Sequence, residues 1–276
     1  MKKINIGFKT KEAPSPAERI LNDKSDFDTV ETYKTIRTNI MFSIPKTSKG
    51  KAIVITSASP GEGKTTTTIN LAITFAQMGA KVILLDCDLR KARTHRYLGI
   101  ERKDGVSNVL CGFTELDSTI KRNIRENLDC LTAGEIPPNP AELLGSAEFA
   151  ELINTLRERY DYVFIDTPPI TVVTDAMLAM ENADGVVVVV RQDFTTFDLL
   201  DDTMDSVKKS GVKILGVVML GSELQAKKYG YYRRAGRKYG YRYRYGYKYG
   251  YRYGYRYGYK YGDYRYGDAP ETGKQE

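Results

Sequence analysis

Ala58-Ser59-Pro60-Gly61-Glu62-Gly63-Lys64-Thr65 satisfies the phosphate-loop pattern, with alanine at the position of its first glycine. Its setting makes it specific. The motif follows an apolar stretch, Ala52 to Thr56, that reads as a strand, and it opens Thr65 to Met78, which reads as a helix. The amides of such a loop converge on a phosphate together with the positive end of the helix. Ser59, Pro60, Gly61, Glu62, Gly63, Lys64, Thr65 and Thr66 are therefore the expected nucleotide contacts. Lys64 would reach the β and γ phosphates of ATP, and the Thr65 hydroxyl would be offered to Mg²⁺.

Outward from this loop, β-branched runs alternate with helical patterns. Val82 to Leu85, Leu128 to Thr132, Tyr162 to Ile165, Gly185 to Val190 and Ile214 to Met219 read as further strands, while Glu148 to Arg159 and Thr196 to Lys209 read as helices. Continuous apolar strands separated by helices mean a sheet covered on both faces. The expected fold is α/β, a doubly wound and mostly parallel sheet of the P-loop NTPase type, ending near Ser222. Ahead of it, Val30, Tyr33, Ile36, Arg37, Ile40 and Met41 recur at helical spacing and predict an amphipathic helix over about 27–42. Residues 1–25 mix Lys, Pro, Ser and Asp without period and are expected to form a flexible arm.

Two further motifs place acids beside the phosphate loop. Ile83-Leu84-Leu85-Asp86-Cys87-Asp88 is an apolar strand ending in two aspartates, which would face the nucleotide crevice and could bind metal or accept a proton. Tyr162-Val163-Phe164-Ile165-Asp166 matches the Walker B pattern, whose carboxylate helps to hold magnesium.

Composition divides the chain. The last fifty residues hold 17 of the 21 tyrosines, in Tyr-Gly-Tyr-Arg and Tyr-Gly-Tyr-Lys units from Tyr229 to Tyr266. From Lys227 to Tyr266 there are 13 Lys and Arg against Asp263 alone, a net of +12; the whole chain carries +7, which leaves −5 for the remainder. The basic character belongs to the tail, so a nucleic-acid reading extends to the tail only. With glycine at short intervals and almost no aliphatic residues, residues 227–276 are expected to be disordered, which leaves residues 26–226 as the folded domain. Cys87, Cys111 and Cys130 are odd in number and form no C-x-x-C, so neither a disulfide framework nor a zinc site is indicated, and a reducing cytoplasm is expected. His95 has no companion ligands and is expected to be a surface or half-buried residue. The longest apolar runs, Val186 to Val190 and Ile214 to Leu220, fall well short of the ~20 residues that span a bilayer.

Together these motifs resemble the bacterial tyrosine kinases of capsular and exopolysaccharide synthesis. Ala58 to Thr65 is similar to the family's Walker A, Ile83 to Asp88 with Arg90-Lys91 to its Walker A′, Phe164 to Asp166 to its Walker B, and Pro137 to Leu144 to its Pro-Pro-Asn-Pro segment. The resemblance implies an ATP- and Mg²⁺-dependent protein-tyrosine kinase. Lys64, Asp86 and Asp88 would be catalytic, with Asp86 the candidate proton acceptor, although either aspartate could play either part. Thr65, Asp88 and Asp166 would form the metal shell. The acceptors would be Tyr241, Tyr243, Tyr245, Tyr247, Tyr249, Tyr251, Tyr253, Tyr255, Tyr257, Tyr259, Tyr261, Tyr264 and Tyr266.

In that family a helix carrying Glu-x-x-Arg-x-x-Arg joins subunits into a ring. The matching positions here are Glu31, Lys34 and Arg37, and lysine at the middle position keeps the charge but loses arginine's bidentate fork. The resemblance further implies phosphorylation in trans within a homo-oligomeric ring and control of polysaccharide polymerisation and export. Without a membrane span the chain resembles the split form of these systems. Its expected partners are a transmembrane activator of the polysaccharide co-polymerase type, a protein tyrosine phosphatase and polysaccharide-biosynthesis enzymes as substrates. Its expected place is the cytoplasm, at the inner face of the membrane through a partner.

Two rival readings remain. Partitioning and septum-positioning ATPases share the fold but place a signature lysine five residues before the motif lysine, where this chain has Ser59. Interleaved Tyr and Arg can also stack on bases and neutralise phosphates, which makes nucleic acid the disfavoured alternative partner of the tail.

Overall fold

The computed structural model describes residues 15–44 and 49–221. The chain divides into two units, Met1–Ser222 and Glu223–Glu276. The tyrosine cluster, with every expected acceptor from Tyr241 to Tyr266, lies outside the described residues, as does the start of the N-terminal arm.

Strands β1 (Lys51–Ser57), β2 (Val82–Asp86), β3 (Lys121–Arg125), β4 (Leu128–Leu131), β5 (Tyr162–Asp166), β6 (Gly185–Arg191) and β7 (Ile214–Leu220) form one sheet in the order β3-β4-β2-β5-β1-β6-β7. Every neighbouring pair is parallel except β3 with β4. The helices are α1 (Phe27–Ser43), α2 (Lys64–Ala76), α3 (Thr94–Leu98), α4 (Val106–Leu110), α5 (Leu116–Thr119), α6 (Pro140–Leu144), α7 (Ala147–Arg159), α8 (Asp175–Met180) and α9 (Phe197–Lys209).

The all-apolar strands predict burial on both faces, and two separate cores result. On one face α1 and α2 cover Ile53, Ile55, Leu84, Phe164 and Val187, with Phe75 of α2 meeting Phe164 edge-on at 5.1 Å between ring centroids. On the other face α6 to α9 cover Val54, Ile83, Leu85, Val163, Ile165 and Val188. β1 sits between β5 and β6. The chain leaves β1 towards β2 on one side and later returns to build β6 and β7 on the other, so the crevice at the carboxyl end of β1 is the topological switch point.

Two sequence expectations need correction, and one strand was not foreseen. Residues 15–25 do not form a flexible arm: they include a 3₁₀ turn at Ala17–Arg19, and Ile20 and Leu21 are buried in the α2 core. The Leu21 amide donates to Asn70 Oδ1 at 2.9 Å, and Arg125 donates to the Leu21 carbonyl at 2.7 Å. On α1, Asp26 caps the first turn through the Thr29 amide and Tyr33 and Ile40 are buried, but Met41 points outward and is 41% exposed. Finally, Lys-Arg-Asn-Ile-Arg at 121–125 is a strand without an apolar pattern, which an antiparallel edge strand tolerates.

Candidate active site

The phosphate loop connects β1 to α2, and two of its glycines are fixed by geometry. Gly61 has φ +86° and Gly63 has φ +89°, a left-handed region costly for other residues. At Gly63 a side chain would also meet Leu220 Cδ1 at 2.5 Å from its Cβ. Gly63 caps α2, whose first turn leaves its amides without intrahelical partners, aimed into the crevice.

The Walker B segment is pinned against this loop. Thr56 donates to the Pro168 carbonyl at 3.0 Å, Thr167 to the Ile55 carbonyl at 3.0 Å, and Thr171 to the Ala58 carbonyl. Asp86 and Asp166 end β2 and β5 as directly paired residues, so the register itself brings two carboxylates side by side. Asp88 follows on the loop after β2.

Lys64 lies at the centre of these acids. Its Nζ is 3.0 Å from Asp88 Oδ2 and 3.5 Å from Asp166 Oδ1. Thr65 donates to Asp166 Oδ2 at 2.7 Å and Thr68 to Asp166 Oδ1 at 3.3 Å. Among the described residues Asp86 makes no ion pair; it accepts the Asp88 amide at 3.3 Å and the Thr94 amide at 3.1 Å. Burial alone would pull the Lys64 pKa down, but the charges of Asp166 and Asp88, with the Asp88 hydrogen bond, outweigh it and hold the ammonium above its usual value. Burial, followed by the charges of Asp166 and Asp88, pushes Asp86 up to about 7 against the opposing pull of Lys64. Burial likewise raises Asp166.

All the expected catalytic and metal residues, Lys64, Thr65, Asp86, Asp88 and Asp166, thus converge. Thr66 lies half-buried in the first turn of α2. The Ser59 amide is engaged within the loop, donating to Glu62 Oε2 at 2.7 Å. Glu31 and Lys34 pair with each other at 2.8 Å, and Arg37 turns inward to donate to the Thr74 carbonyl of α2 at 2.6 Å. His95 is half-buried on α3; burial, then Arg102 and Arg96, lower its pKa.

Three participants escape the motifs. Thr68 lies one helical turn from Lys64, a spacing that could have flagged it. Arg90 Nε and Nη2 grip Asp175 of α8 at 2.9 and 3.0 Å, and Asp175 is fully buried. Thr195, beyond β6, donates to Glu62. No local pattern announces Asp175 or Thr195.

The glycine cradle, helix N-terminus and lysine fit a nucleoside triphosphate. Hydroxyl and carboxylate oxygens fit Mg²⁺, which takes one or two carboxylates and completes its shell with phosphate and water. Among the described residues no cluster of three or more His, Cys, Asp or Glu is arranged to hold a metal by itself.

Fold and site define a P-loop nucleotide-binding protein of the doubly wound class, and residues 50–214 match the AAA domain family. The chain is 42% identical over 204 residues to tyrosine-protein kinase YwqD of Bacillus subtilis (strain 168), covering 73% of this chain and 85% of that one. It is 36% identical over 206 residues to tyrosine-protein kinase wzc of Salmonella typhimurium, where the match covers 74% of this chain and 28% of the relative. The kinase domain of Escherichia coli tyrosine kinase ETK superposes with a TM-score of 0.67 at 31% identity, over 78% of this chain and 80% of that one. The chain belongs to the family of bacterial tyrosine-protein kinases. Among the described residues no helix is long and apolar enough to cross a membrane.

Proposed function

We propose that this chain transfers the γ-phosphoryl group of ATP to tyrosine hydroxyls of its own C-terminal cluster. The observation that carries this reading is the convergence of Lys64 with Asp86, Asp88 and Asp166 at the mouth of the phosphate loop. Phosphoryl transfer asks mainly for positioning and for charge stabilisation. Lys64 and the loop amides hold the β and γ phosphates, and Mg²⁺, held by Thr65, Asp88 and Asp166, would neutralise charge on them. The tyrosine hydroxyl, with a pKa near 10, must lose its proton as its oxygen bonds to phosphorus and ADP departs. Asp86 accepts that proton: it alone of the three acids makes no pair with Lys64, and its pKa of about 7 leaves it available as a base at neutral pH.

A cluster separated from the domain by a few residues can be presented to a neighbouring subunit, so transfer in trans within a ring is part of the proposal. Glu31, Lys34 and Arg37 of α1 would contribute to its joints. Control of capsular or exopolysaccharide polymerisation and export is part of the same proposal. A transmembrane activator would hold the kinase at the membrane, and a tyrosine phosphatase would reset it.

Mass spectrometry after incubation with Mg-ATP tests the reading, comparing the parent with Lys64→Met and with a chain ending at Ala226. Phosphotyrosine confined to residues 229–266 and absent from Lys64→Met is the expected result. ATP hydrolysis without phosphotyrosine would move the assignment to a partitioning-type ATPase.

A further inference from the structure

The phosphate loop must receive a polyanion, yet it contains a carboxylate. Glu62, between the two left-handed glycines, is 1% exposed. A negative charge there repels a triphosphate, and the loop pattern places no demand on this position, so the carboxylate needs a reason of its own.

Its contacts supply one. Oε2 accepts the Ser59 amide at 2.7 Å, closing the first half of the loop on itself. Oε1 accepts the hydroxyl of Thr195, 133 residues away in the connection between β6 and α9. Thr195 is itself held, its Oγ1 accepting the Arg191 amide at 3.0 Å and its own amide donating to the Arg191 carbonyl at 2.9 Å. Next to Arg191, the Gln192 amide donates to the Leu220 carbonyl at 2.9 Å, and Leu220 packs against Gly63. The segment from Arg191 to Thr195 therefore grips the phosphate loop at two places, through Thr195 on Glu62 and, by way of the end of β7, through Leu220 on Gly63.

We infer that Glu62 and Thr195 form a latch that holds the phosphate loop in its nucleotide-ready shape, with Glu62 a positioning residue that contacts no phosphate. The Ser59 amide is withdrawn from the cradle by this latch, and the amides around Gly63 and the start of α2 are left to face the ligand. This rests on the nucleotide-binding reading of the site but not on tyrosine being the acceptor.

Two predictions separate a latch from its alternatives. If Glu62 were only a stray charge, its removal would tighten nucleotide binding; for a latch, removal weakens it. If the contact served folding alone, its loss would lower the nucleotide-free melting temperature without changing affinity. The experiment measures binding of a fluorescent N-methylanthraniloyl ATP with Mg²⁺ to the full chain, beside melting curves without nucleotide, for Thr195→Val, Thr195→Ser, Glu62→Ala and the Glu62→Ala/Thr195→Val pair. Thr195→Val should weaken binding about tenfold, the size of one lost hydrogen bond to a charged group, and Thr195→Ser should restore it. The double variant should lose no more than the worse single one, because both remove the same interaction. Tighter binding in Glu62→Ala, multiplying losses in the pair, or a lowered melting temperature at unchanged affinity in Thr195→Val would each overturn the latch. Should Glu62→Ala fail to fold, the Thr195→Val and Thr195→Ser comparison decides alone. Phosphotyrosine formation by the parent tests the kinase assignment separately.

Discussion

Asp86 sets stability against chemistry. In the unfolded chain its carboxyl titrates near 3.8, whereas in the fold burial and its acidic neighbours push it up to about 7. Between those values the folded chain keeps a proton that the unfolded chain has released. Stability from this group is therefore complete below about pH 4 and declines as pH rises towards 7. Asp86→Asn should flatten that decline and raise the melting temperature at pH 8 by roughly 3 °C or more, while lowering phosphotyrosine formation about a hundredfold or more. Retained activity would move the proton-accepting role to Asp88. Lys64→Met is expected to behave in the opposite sense. It leaves three buried acids without their cation, so it should cost roughly 3 kcal/mol at pH 8 and less at pH 5, where Asp86 is protonated. Urea titrations at the two pH values check the difference.

Elements bring these residues together through register and through contacts between distant loops, and only the first was legible in the sequence. Asp86 and Asp166 could be read because each closes an apolar strand, and parallel pairing at the sheet's carboxyl edge then does the rest. The major strands and the long helices were readable for the same reason: their periodicity is set by burial on two faces. β3 was not, because Lys121, Arg122 and Asn123 show no apolar alternation and pair only at an edge. Ile20 and Leu21 look like part of a polar arm until α2 presents Asn70 to the Leu21 amide. Asp175 belongs with them, since its meaning comes from Arg90, 85 residues earlier. This pair ties the loop after β2 to α8, so Asp175→Ala should destabilise the domain by about 3 kcal/mol, as breaking a buried pair does, and should loosen Asp88 with it. A melting curve together with the KM for ATP would register both effects. Gly63→Ala tests the loop itself. Alanine there combines a strained φ with contact to Leu220, so nucleotide binding should be lost, and adding Leu220→Ala should recover only the part due to contact, measurable as partial return of ATP-analogue binding.

At the scale of the whole molecule the decisive quantity is charge. Outside residues 227–266 the chain carries −5, whereas that segment carries +12 with 17 tyrosines. Opposite charges on the two parts favour association of the unmodified segment with acidic protein surfaces or anionic membranes, at strengths that fall with salt. Each phosphotyrosine adds about −1.5 to −2 at neutral pH, so roughly six to eight modifications cancel the segment's charge. Modification beyond that point makes it acidic, and its attraction to acidic or anionic surfaces becomes repulsion. On the proposed transfer in trans within a ring, product formation would then oppose the assembly that speeds it, which would limit the reaction without any second site. The expected outcome is a shift of the phosphorylated protein to later elution in size-exclusion chromatography at low salt, reversed by phosphatase and diminished in high salt. A chain ending at Ala226 should keep its nucleotide affinity and show no such shift. If the elution volume stays the same between fully phosphorylated and dephosphorylated protein, the charge of the segment does not govern assembly, and the interleaved Arg and Lys must serve a different partner, for which a salt-dependent RNA shift is the direct test.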